Sequence, residues 1–275
     1  MHKSMRLPIV ALLVLSLSGC NGGSGDGGAD IWAVTSTNAL IKFDINESSD
    51  TDTSVNITGL QPGESILGID FRPSTGQIYA LGSTSRLYTI NAQTGAATQV
   101  GGVLDVTLNG SAFGFDFNPV SDRIRVVSDA EQNFRIDPDT GAVIDFDPIT
   151  PGVQPDADLN PLGEGVGLAY TNNFANATVT TAFVVDASTD GLLRLGGVDG
   201  SPSPDFGLLT GIGNLGFDLG ANAGFDIDSS GMAVIVHNSG PGQNDVYTVN
   251  LLTGQASFVG TAAAGATITS MAVRG

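Results

Sequence analysis

The sequence predicts an all-β chain folded as a five-bladed β-propeller. Two observations carry that prediction: a short phrase recurs at blade-length intervals, and the two ends of the chain supply complementary parts of one blade. The phrase is Gly68-Ile69-Asp70-Phe71, then Gly114-Phe115-Asp116-Phe117, then Gly224-Phe225-Asp226-Ile227. Gly167-Leu168-Ala169-Tyr170 is a weaker copy, and Ser270-Met271-Ala272-Val273 keeps only its apolar frame. From Asp70 the steps are 46, 53, 57 and 46 residues, to Asp116, Ala169, Asp226 and Ala272. A period of roughly 40 to 50 residues is that of a four-stranded propeller blade.

The residues after each phrase repeat as well. Asp70-Phe71 leads to a turn at 72–76, a strand Gln77–Leu81, a turn at 82–85, a strand Arg86–Ile90, the turn Asn91–Gly95 and a strand Ala97–Val100. The next unit matches in pieces: Asn118–Asp122, Arg123–Val127, Asn133–Ile136, Asp137–Gly141 and Ala142–Ile144. The last full unit runs from Asp228 through Met232–Val236, Val246–Val249 and Thr253-Gly254 to Ala256–Val259. Short β-branched and aromatic runs separated by Gly, Pro, Asn and Asp mark antiparallel meanders, and the Thr-Gly pairs suit turns that need a residue with positive φ. The unit from Gly163 to about Gly213 is the least regular, and six blades is the alternative count.

The ends complete the ring. Ile268–Arg274 reads as a first strand with nothing behind it, whereas Ile31–Thr35, Leu40–Phe43 and Ser54–Thr58 read as three strands lacking a first. Pairing them makes one composite blade and removes two exposed sheet edges.

The first twenty residues read as a targeting segment. Lys3 and Arg6 precede an apolar run from Leu7 to Leu17, too short to cross a bilayer as a helix, which takes roughly 20 apolar residues. The run ends in Leu17-Ser18-Gly19-Cys20, which resembles the lipobox of bacterial lipoproteins, in which the cysteine is acylated and becomes the new N-terminus. Cys20 is the sole cysteine, so no disulfide is open to it. The expected organisation is a lipoprotein signal peptide at 1–20, a Gly-rich tether at 21–29 and a single propeller domain at 30–275. The expected location is the cell envelope, with the bilayer engaged through acylated Cys20. Asn21, where an Asp would stand for retention at the inner membrane, resembles the pattern for transfer to an outer membrane.

Charge excludes one class of partner. The eight basic residues left after position 20 face 28 acidic ones, a net charge of −20, and Lys42 is the only lysine among them. Such a surface repels phosphate backbones, so nucleic acid is not an expected partner.

Candidate chemistry is sparse. Beyond the leader His237 is the one histidine, read as a loop residue after the strand 233–236, and no Gly-x-Ser-x-Gly elbow is present. Zinc lacks His and Cys ligands, whereas calcium, an oxygen-seeking ion, remains open to the chain. Asp226-Ile227-Asp228-Ser229-Ser230-Gly231 copies the opening of an EF-hand loop but has His237 at the twelfth position and reads as a hairpin. Asp156, Asp158 and Asn160 lie in a Pro-rich loop from Pro148 to Pro161 that could wrap a cation. Gly211-Ile212-Gly213-Asn214-Leu215-Gly216 matches a dinucleotide fingerprint by letter but has no helix after it, and reads as an inter-blade loop. The recurring Asp70, Asp116 and Asp226 are the strongest candidates. First strands line a propeller's axis, so these carboxylates could converge there on a cation or polar ligand, or instead accept hydrogen bonds from the backbone or from Arg123 and Arg125.

The strings Gly68–Pro73, Gln77–Asn91, Gly114–Pro119, Asp122–Asp129 and Ala169–Phe174 resemble the bacterial family labelled domain of unknown function 4394, over Ile31 to about Ala272. The resemblance implies a secreted or anchored propeller-like protein and carries no catalytic residues with it. The expectation is a non-enzymatic binding module without a cofactor, displayed to an envelope or extracellular partner. The alternative is a calcium-dependent, lactonase-like hydrolase, for which Glu47, Glu64, Glu131 and Glu164 are the only glutamates.

Overall fold

In the computed structural model, residues 28–274 are described, apart from Ser48, Asp50 and Leu162. The expected leader with Cys20, and residues 21–27 of the tether, lie outside the described residues. Among the described residues, nineteen strands form five small antiparallel sheets. Blade 1 contains β1 (Asp30–Thr35), β2 (Ala39–Asp44), β3 (Thr53–Asn56) and, at its inner edge, β19 (Ile268–Arg274). Blade 2 is β4 (Ile66–Phe71), β5 (Ile78–Gly82), β6 (Arg86–Ile90) and β7 (Ala97–Val103). Blade 3 is β8 (Phe113–Asn118), β9 (Arg123–Ser128) and β10 (Asn133–Ile136). Blade 4 is β11 (Gly165–Tyr170), β12 (Ala182–Asp186), β13 (Gly191–Leu195) and β14 (Leu209–Asn214). Blade 5 is β15 (Ala223–Ile227), β16 (Ala233–Gly240), β17 (Gln243–Val249) and β18 (Ala256–Ala262).

The ring closes as the ends of the sequence require. β19 runs antiparallel to β1, with Trp32 opposite Ala272 and Ala33 opposite Met271. Five apolar clusters form the core, each filling the space between two neighbouring blades. Strands packed on both faces lose the apolar–polar alternation: β5 and β12 are buried throughout, whereas the outermost β3 and β7 are largely open. Gly95, Gly141 and Gly254 in the Thr-Gly turns take φ near +70 to +80° (69, 71 and 78°), as the pairs predict.

Blade regularity departs from expectation. Blade 4 holds four full strands, and blade 3 is the incomplete one. Its expected fourth strand, Ala142–Ile144, shrinks to one bridge between Ile136 and Val143. The next segment contains Pro148, Pro151, Pro155 and Pro161, each without the N–H that a ladder needs. Gly211–Asn214 is also strand rather than loop, on the outer edge of blade 4. Gly213 leaves room there, since a Cβ on it would meet the Thr253 carbonyl of blade 5.

The recurring glycine sets the distance between inner strands. A Cβ on Gly114 would stand 2.7 Å from the Leu168 nitrogen, and one on Gly224 would stand 2.7 Å from the Met271 nitrogen. Gly68 and Gly167 face Phe115 and Phe225 in the same way, so each glycine touches the residue after the next blade's glycine. At the fifth joint Ser270 stands in the glycine position, and its hydroxyl accepts the Ile69 N–H at 3.0 Å.

Candidate functional site: the axial carboxylates and the channel mouth

Two residues beyond each glycine position, the inner strands carry Asp70, Asp116, Ala169, Asp226 and Ala272. The three carboxylates converge, with one oxygen from each lying within 4.8 Å of the others, and all three are buried. Neither Arg123 nor Arg125 reaches them. Their partners are backbone amides of the inner strands. Asp70 accepts Phe71 N–H of its own strand at 2.6 Å and Phe117 N–H of blade 3 at 2.8 Å. Asp226 repeats this, with Ile227 N–H at 2.6 Å and Val273 N–H of blade 1 at 2.6 Å. Asp116 takes Tyr170 N–H from blade 4.

The amides explain the number of carboxylates. Each blade presents one N–H at this level (Phe71, Phe117, Tyr170, Ile227, Val273), and buried amides need acceptors. A carboxylate spanning two neighbouring strands serves two of them. Three carboxylates therefore suffice for five blades, which is why alanine stands at 169 and 272: their amide neighbours are already served by Asp116 and Asp226. One oxygen is left over. Asp116 Oδ1 is buried with no donor, and an oxygen of Asp116 lies within 4.8 Å of one of Asp226.

Titration follows from that geometry. Burial, then the neighbouring Asp70 and Asp226 charges, push Asp116 well above the ordinary carboxylate range. Asp70 moves the same way, through burial and then the charge of Asp226. Burial raises Asp226 to about 7, with the Val273 and Ile227 amides and the Asp116 bond pulling back. Calcium, which takes six to eight oxygens, fits this centre poorly, because both oxygens of Asp70 and of Asp226 already face amide hydrogens.

The other cation candidates are likewise occupied. Asp156 lies buried against Arg125 at 2.9 Å and Arg135 at 2.7 Å, so the 148–161 loop presents paired charge rather than a cation cradle. Arg125 also donates to Tyr170 Oη at 2.7 Å and to Asp205, and Asn133 donates to the Pro204 and Ala157 carbonyls. This network binds blade 3 to blade 4 where the fourth strand is missing. Arg123 pairs with Asp137 instead. Asp228 closes a hairpin, accepting from Ser230 and Met232 amides at 2.8 Å each. His237 is no loop residue: it lies inside β16, buried, with Nδ1 3.1 Å from the Leu219 carbonyl oxygen and its pKa lowered by burial.

At the end where the inner strands begin, here called the upper face, all five blades contribute to one pocket of about 150 Å³. Its polar lining is Ser36, Ser65, Ser111, Asn222 and Thr269, and no charged side chain takes part. Nothing in the sequence marks this pocket, because its residues are scattered over the upper loops and inner-strand starts of five blades. Glu64 was also missed as a structural residue. It is buried beneath the upper loops and accepts from Thr84 Oγ1 at 2.5 Å and Tyr88 Oη at 2.5 Å. Burial works to raise its pKa, and the hydrogen bonds outweigh burial and lower it.

Fold and axis together define a five-bladed β-propeller whose charged centre is internal. The chain belongs to the family described as Domain of unknown function (DUF4394), whose model matches residues 39–272. No curated protein matches it. Among solved structures it is similar to a structural-genomics protein of unknown function from Bacteroides thetaiotaomicron, at 15% identity and a TM-score of 0.50, over 84% of this chain and 57% of that one. It is also similar to PorZ, a surface component of the type-IX secretion system of Porphyromonas gingivalis, at 13% identity and a TM-score of 0.42, over 86% of this chain and 27% of that one. A protein assigned provisionally as a 6-phosphogluconolactonase from Bacteroides uniformis matches at 13% identity and a TM-score of 0.41, over 86% of this chain and 83% of that one. The chain thus spans little more than half the first of these and about a quarter of the second. At such identities the likeness concerns fold alone.

Proposed function

We propose that this protein is a lipid-anchored, extracytoplasmic propeller that works as a non-enzymatic binding module, with the upper mouth of its axis as the binding site. The observation that supports this reading is the mouth pocket, which is open to solvent, fed by all five blades and lined by hydroxyls and an amide set among apolar side chains. Such a lining suits an uncharged polar ligand, such as a neutral glycan or peptide backbone, held by a few placed polar groups. A calcium-dependent hydrolase would need free oxygen ligands around an exposed centre. The axial carboxylates are instead shut away and bonded to amides.

Two arms test the reading. Metabolic labelling with a fatty acid should mark the wild type and not Cys20→Ala. A neutral-glycan and peptide array should retain the wild type and lose Asn222→Trp, which fills the mouth from an exposed position. Equal labelling of both proteins would end the anchor claim, and equal array binding by both would end the claim for the mouth.

A further inference from the structure

Opposite the mouth lies the lower face, where the inner strands finish. Asp30 is there, because it pairs with Arg274 at the end of β19, so the chain enters the propeller at this face. The same face holds the turns after the inner strands and those between the third and fourth strands of each blade. Six of the exposed large apolar side chains, Val120, Phe174, Val179, Val198, Phe206 and Leu252, stand on these lower turns. Of the others, Leu208 closes a lower turn, Phe146 and Ile149 lie in the Pro-rich crossing from blade 3 to blade 4, Phe258 and Val259 stand on the outer strand β18, and Val103 ends β7 on the upper side. Exposure is extreme at Leu252, 90% open, and high at Val198, 58%. Between them runs an apolar groove of about 460 Å³, floored by Phe183 and Ile212.

Charge is sparse in this sector despite the acidity of the chain. The turns 171–181 and 250–255 contain no charged residue, and Asp205 in the turn 196–208 is already paired with Arg125 and Arg135, which leaves the exposed Asp199 beside Val198 and Arg194 at the groove wall as the charges of the sector. Exposed apolar side chains that cluster on turns with few charges are the composition of a surface that meets hydrocarbon, and contiguous exposed apolar area marks an interaction site.

We infer that the lower turns of blades 3 to 5 rest on the phospholipid surface to which the protein is tethered, with Leu252 and Val198 inserted among the headgroups and acyl chains. The inference rests on the lipid-anchor reading. Residues 21–29 span at most about 30 Å, so an acylated Cys20 holds the lower face within a propeller's width of the bilayer. A short tether raises the local concentration of lipid to the millimolar range or above, so weak insertion suffices. The orientation leaves the mouth pocket facing away from the membrane.

The test uses the full mature lipoprotein in phosphatidylethanolamine–phosphatidylglycerol vesicles. Single cysteines at Leu252→Cys, Val198→Cys and, as the upper-face control, Val103→Cys carry an environment-sensitive fluorophore, and unchanged melting confirms the fold. Emission at 252 and 198 should shift to the blue and be quenched several-fold more by doxyl-labelled lipid than emission at 103. Co-flotation with vesicles but equal quenching at all three positions overturns the inference and leaves the anchor intact. Failure to co-float overturns both.

Discussion

Replacing Asp70 and Asp116 by asparagine, one at a time, should produce unequal losses of stability, because the two carboxylates do different work. Asp70 accepts two buried amides from two blades. An asparagine there offers one carbonyl oxygen and sets an NH₂ group against the other N–H. An unsatisfied buried donor costs about 1–3 kcal/mol, and a hydrogen bond to a charged group contributes about 1.5–3 kcal/mol. Relief of the repulsion from Asp226 offsets part of this. The net loss for Asp70→Asn should be about 2 kcal/mol, or roughly 4–8 °C in Tm for a domain of this size. Asp116 has one oxygen with no donor and lies beside Asp226. The NH₂ of Asp116→Asn faces Asp226 with a donor and adds no charge, so the change should stay within about 0.5 kcal/mol at pH 7.

The pH dependence should separate the two as well. The folded triad holds protons that the unfolded chain releases near pH 4, so stability is fully present below that value. It is lost as pH rises through the Asp226 value of about 7 and further as Asp70 and Asp116 ionise. Asp116→Asn should flatten that fall. Urea unfolding from pH 5 to pH 9, with m unchanged, measures both effects. Equal losses for the two variants, or stability that rises across this range, would refute the account of the axis.

Other contacts give further expectations. Arg125→Met leaves the buried Asp156 and partly buried Asp205 to Arg135 alone, and should cost about 3 kcal/mol by urea denaturation, the lower end of the loss for a broken buried pair. Gly224→Ala places a Cβ 2.7 Å from the Met271 backbone nitrogen and should cost about 1–3 kcal/mol by the same method, with the strain at the joint of blades 5 and 1. Melting curves with calcium and with a chelator should superimpose, since amides and arginines occupy the oxygen atoms a cation would need. A chelator-dependent drop in Tm would place a cation where this account has none.

Much of the ring was legible because a propeller repeats its inner strand. Gly68, Gly114 and Gly224 recur since each is pressed against the next blade, and Trp32 and Met271 sit on paired strands since each end of the chain lacks what the other has. The unequal steps of 53 and 57 residues reflect, respectively, the Pro-rich crossing at 145–164 and the long lower turns 171–181 and 196–208, not a sixth blade. Convergence of Asp70, Asp116 and Asp226 was legible from their shared place in the phrase. Backbone donors were one of the two partner classes the sequence offered, and the arginine alternative was wrong, because which groups meet the carboxylates depends on interstrand distance, which leaves no mark on residue identity. Nor could Glu64 or the mouth residues be found: each lies on a loop without a repeat, and burial of a lone glutamate has no sequence signature. Glycine density misled at 211–216, where an outer strand tolerates what an inner one does not.

The most direct test of the axial account is a carbon-13 NMR titration of the side-chain carboxyls of Asp70, Asp116 and Asp226 in the folded protein. The account predicts that Asp116 titrates well above the ordinary carboxylate range and that Asp226 titrates close to pH 7. Three ordinary transitions near pH 4 would contradict it.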